Sequence, residues 1–144
     1  MFRRVGAVAL SVVGAALASA AAAEARVVSI PSGDFGTTDA LEVVVRPRSA
    51  PPVGWHYELA LLMDNADEDD EGCAYYDSVN SFFGRRPFSV EYSPEAAALT
   101  SGAAEWCLGT GRVVLFRQKN RTTSDRYLRI VAKSRQFVVV PSDY

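Results

Sequence analysis

Three groups of residues in this chain have types and spacings that could do chemistry. Six of the eight residues from 64 to 71 are acidic: Asp64, Asp67, Glu68, Asp69, Asp70 and Glu71. Calcium takes about six to eight oxygen ligands, and Asp67, Asp69 and Glu71 followed by Gly72 reproduce the first half of a calcium-loop spacing. The second half does not follow. Ser78 stands where a bidentate carboxylate should close the shell, and Asp77 comes one residue early. Calcium on Asp67, Asp69 and Glu71 therefore competes with a plainer reading, a solvated acidic loop that keeps a strand edge soluble.

The second group is basic. Between Arg112 and Arg135 lie Arg117, Lys119, Arg121, Arg126, Arg129 and Lys133, with Asp125 as the one acid. Strand alternation puts Arg117 and Lys119 on one face of their strand, and Arg129 and Lys133 on one face of the next. If the two strands pair, Arg117, Lys119, Arg129 and Lys133 form a stripe suited to an anionic polymer, lipid headgroups or an acidic partner. The competing reading is the polar outer face of a half-buried sheet. Aromatic residues add a further clue, because exposed Trp and Tyr near loops serve sugar-binding and protein-binding sandwiches.

The third group is His56 alone, set between Trp55 and Tyr57. A hydrolase would need a nucleophile and an acid brought to it in space, and no nucleophile-elbow sequence is present. Nothing in the order of the carboxylates selects a glycosidase pair. Gly109-Thr110-Gly111 precedes a strand and not a helix, so it reads as a turn and not as a phosphate cradle.

What must position these residues is a short exported domain. Arg3 and Arg4 precede an apolar run over residues 5–23, which ends in small residues spaced for a signal peptidase. A leader over residues 1–25 and a single domain over 26–144 follow, with the domain in an oxidising compartment outside the cytosol, periplasmic or extracellular. No Cys follows the apolar run to take a lipid, and no later segment is long enough to span a membrane. Over residues 26–144, 13 basic residues face 16 acidic ones. That mild negative balance argues against a general nucleic-acid binder.

Cys73 and Cys107 are the only cysteines. In an exported protein an even pair reads as one disulfide, and closing a loop of roughly 35 residues stabilises the fold by about 4 kcal/mol on the chain-entropy model. Zinc would lack enough soft ligands. Around the cysteines, seven or eight short alternating segments are divided by polar turns and by Pro47, Pro51 and Pro52. Ser93-Pro94-Glu95 starts a helix of one or two turns. The pattern predicts an antiparallel β-sandwich. The Trp and Tyr of a true immunoglobulin domain are not at their places around the cysteines, although an immunoglobulin-like arrangement of strands stays open.

The functional expectation is a non-catalytic binding or structural module of the envelope or extracellular space. Its partner would be another envelope or extracellular protein, or an anionic or sugar polymer. A calcium-stabilised module and a small secreted hydrolase using His56 are the alternatives.

Overall fold

A computed structural model describes residues 26–64, 72–82, 84–101 and 104–142. The leader and the calcium-spaced Asp67, Asp69 and Glu71 lie outside the described residues.

The expected sandwich is present. The strands are β1 (Val28–Ser29), β2 (Phe35–Gly36), β3 (Leu41–Val45), β4 (Trp55–Met63), β5 (Tyr76–Phe82), β6 (Phe88–Tyr92), β7 (Gly109–Lys119), β8 (Leu128–Lys133) and β9 (Phe137–Val140). A three-stranded sheet runs β1-β3-β6. The larger sheet runs β2-β9-β7-β4-β5, with β8 also pairing β7. Pairing is antiparallel except between β2 and β9, which run parallel. One cluster of buried residues joins the sheets, with Val28, Leu41, Val43, Val45 and Tyr92 on one side and Leu59, Leu61, Val113, Leu115 and Val139 on the other. The Tyr92 hydroxyl crosses the core to donate to the Leu59 carbonyl at 3.0 Å.

Alternation explains why these segments are strands. Leu41, Val43 and Val45 are buried while Glu42 is exposed, and Tyr57, Leu59, Leu61 and Met63 point inward from β4. The helix α1 (Pro94–Ser101) begins as its sequence predicts, with the Ser93 hydroxyl accepting from the Ala96 amide at 3.2 Å. Cys73 and Cys107 form the expected disulfide, their Cα atoms 4.8 Å apart. It staples two segments already joined by an Ala74–Trp106 bridge.

One local expectation changes. Gly109-Thr110-Gly111 is the start of β7 and not a turn. Glycine is needed at 111 because a Cβ there would stand 2.6 Å from the Phe137 ring and 2.9 Å from the Leu62 carbonyl. Residues 125–127 form a single 3-10 turn that leads into β8.

β7 is 11 residues long and serves two neighbours on one edge. Its first residues pair with β9 and its later ones with β8. Ser134 fills the step between them: its amide donates to the Val113 carbonyl at 2.8 Å, and its hydroxyl accepts from the Val113 amide at 2.9 Å.

Candidate basic and aromatic surface

Register decides where the basic residues stand, because directly opposed residues on antiparallel strands share a face. Leu59 pairs with Leu115, Tyr57 with Arg117, and Trp55 with Lys119. Arg117 and Lys119 therefore continue the core face of the larger sheet. They are not on its outer face, where a half-buried sheet would carry its polar residues. The smaller sheet has strands of at most five residues against nine and eleven in β4 and β7. It stops short, and exposure on this face rises from buried Leu115 through half-buried Arg117 to exposed Lys119.

Across the other edge of β7, Arg117 pairs with Arg129. The four expected cations do not all follow. The β7–β8 register shifts between Leu115 and Phe116, where Val131 is an extra residue on β8, so Lys133 pairs with Val114. Val114 and Arg117 lie on opposite faces of β7, and Lys133 drops out of the row.

Aromatic rings hold the remaining cations. The Arg117 guanidinium carbon sits 5.5 Å from the centre of the Trp55 ring. The Lys119 ammonium is 4.7 Å from the Tyr127 ring, and Arg126 approaches the same ring at 5.8 Å. Such contacts hold a cation in place without neutralising it. Arg129 is ordered differently, its guanidinium donating to the carbonyls of Arg126 and Leu128 at 2.8 and 2.9 Å. Among the described residues, no carboxylate lies within 4.0 Å of Arg117, Lys119, Arg126 or Arg129, and the Arg117 Nε is buried without a hydrogen-bond partner. Arg117, Lys119 and Arg129 carry the sequence reading forward. Trp55, Arg126 and Tyr127 join them only once the strands are paired.

His56 lies on the opposite face of β4. Its Nε2 is 3.0 Å from a Glu58 carboxylate oxygen and its Nδ1 is 2.7 Å from the Asn120 side-chain oxygen. An acid is thus within reach of the imidazole, as a hydrolase would need. Both ring nitrogens face side-chain oxygens, Glu58 on one side and Asn120 on the other. His56 lines none of the described cavities.

Asp64, at the head of the acidic loop, accepts from Thr110 at 3.1 Å and from Gln136 at 2.9 Å. No three His, Cys, Asp or Glu side chains converge as a metal site among the described residues. Asp77 faces inward opposite Leu61. Burial holds its carboxyl above the ordinary value of 3.8, although the Ser78 amide donating to it pulls the other way. Burial, reinforced by the nearby Asp77 and Tyr76, likewise raises the Tyr92 phenol above its ordinary 10.0.

No protein-family model, curated protein or solved structure matches the chain. The functional reading therefore rests on the geometry of the site itself.

Proposed function

We propose that this chain is an exported, non-catalytic binding module of the envelope or extracellular space, and that its ligand is an anionic sugar polymer. One observation carries the reading. Arg117 and Arg129 are directly opposed across two strands with no described carboxylate between them. Like charges so placed repel, and a chain with more acids than bases had carboxylates to spare for relieving them. An anion from outside relieves the repulsion instead.

Trp55 and Tyr127 favour a sugar polymer over a bare polyanion. Both rings are half-buried and carry Arg117, Lys119 and Arg126 over them, so a pyranose ring packs against their remaining apolar surface while the guanidinium groups meet carboxylate, sulfate or phosphate substituents. These residues line none of the described cavities, and their arrangement along one face suits an extended chain. The leader expected over residues 1–25 and the Cys73–Cys107 disulfide support an oxidising compartment. Among the described residues, no helix is long and apolar enough to cross a membrane.

The test is calorimetric titration with polygalacturonate and with neutral dextran. Polygalacturonate should bind and weaken steeply with added salt, whereas dextran should not bind. Arg117→Ala combined with Arg129→Ala should lower the affinity by about tenfold or more. Equal binding of dextran, or an unchanged affinity in the double variant, would exclude this surface.

A further inference from the structure

The largest of the described cavities opens beside this surface, between the free edge of the small sheet at β1 and the edge strand β8, with Tyr57 the cross-strand neighbour of Arg117. It has a volume of about 440 Å³ and is lined by Arg26, Val27, Arg48, Ser49, Tyr57, Val131, Ala132 and Lys133. That size falls within the range of small-molecule sites. Its chemistry is divided. Tyr57, only 4% exposed, gives an apolar floor together with Val27, Val131 and Ala132. The rim carries three exposed cations, Arg26, Arg48 and Lys133.

The rim is built and not incidental. The segment bearing Arg48 is stiffened by Pro47, Pro51 and Pro52. It is pinned on both sides of Arg48, by the Arg46 amide donating to the Val27 carbonyl at 2.8 Å and by the Tyr57 hydroxyl donating to the Ser49 carbonyl at 2.7 Å. That second bond commits the phenol proton, so the floor presents ring surface rather than a free donor. Val131, the extra residue of β8, forms wall here, and Lys133 stands at the rim two residues further on. No carboxylate lies within 4.0 Å of the three rim cations among the described residues.

We infer that this cleft binds a single-chain amphiphile with an anionic head, its apolar body on Val27, Tyr57, Val131 and Ala132 and its head among Arg26, Arg48 and Lys133. A compact inorganic anion would leave the apolar floor wet. A neutral amphiphile would leave three like charges unrelieved at the mouth. An amphiphilic anion satisfies both halves. The inference does not depend on the polymer-binding reading, because the two surfaces use different cations.

Titration calorimetry with octyl phosphate, octyl glucoside and inorganic phosphate tests it, each kept below micelle formation so that a free molecule and not a lipid surface is read. Octyl phosphate should bind at least about tenfold more tightly than either of the others. Arg48→Ala with Lys133→Ala should remove that advantage, and so should Val131→Asp, which places a carboxylate in the wall. Arg117→Ala with Arg129→Ala should leave it intact. Equal binding of the three probes, no binding of octyl phosphate, or full binding by the Arg48/Lys133 variant would overturn the inference. Loss of binding in the Arg117/Arg129 variant would overturn it as well.

Discussion

Arg117 and Arg129 repel each other in the free protein, so function and stability should pull in opposite directions at this pair. Arg129→Glu turns the repulsion into a cross-strand ion pair. The variant should melt a few degrees higher at most, most clearly at low salt, and should lose polygalacturonate binding; thermal scans and calorimetry read the two effects separately. Asp77 makes the complementary case for burial. Its folded-state pKa is raised, so the fold prefers the protonated form, and stability is lost as pH rises through 3.8 toward the folded value. Asp77→Asn keeps an oxygen to accept from Ser78 and removes the charge. It should raise the melting temperature at neutral pH, and the gain should vanish below the ordinary carboxylate range. At this scale the basic residues could be read from the sequence, because residue type alone marks them. Their counterparts Trp55 and Tyr127 could not, because Trp55 is distant from Arg117 in sequence and meets it only through the β4–β7 register.

The strands were legible where the period of two is unbroken. Leu41, Val43 and Val45, and Tyr57, Leu59 and Leu61, announce their buried faces by alternation alone. The failures have local causes. The run Leu128-Arg129-Ile130-Val131-Ala132 contains no glycine or proline to announce an extra residue, yet the register shift there sends Lys133 to another face. Gly109 and Gly111 look like turn residues, but Gly111 is small because the Phe137 ring packs against it. Gly111→Ala should therefore act by overpacking the β7–β9 junction. It should cost about 1–3 kcal/mol in denaturant unfolding without altering ligand affinity, since the junction lies at the opposite end of β7 from Arg117. A neutral effect would mean that Phe137 has room to move aside.

For the whole molecule, strand length links fold to function. The long strands β4 and β7 outrun the small sheet, which exposes the far end of an otherwise buried face, and there Trp55, Arg117 and Lys119 continue the positions held by core residues. The disulfide sits at the other end. Cys73→Ser with Cys107→Ser should cost about 4 kcal/mol on the chain-entropy model, and the fraction that stays folded should bind polygalacturonate as before. The chain has two tryptophans, one at each end of this design. Trp55 is stacked by Arg117. Trp106 is buried beside the disulfide, its indole donating to the Asp39 carbonyl at 2.8 Å. Their indole N–H resonances in a nitrogen-15 correlation spectrum therefore report on the two ends separately. On titration with polygalacturonate the Trp55 signal should shift and saturate while that of Trp106 stays in place. A shift of Trp106 alone, or no shift of Trp55 at saturating polymer, would contradict a polymer-binding surface at this end of the sandwich.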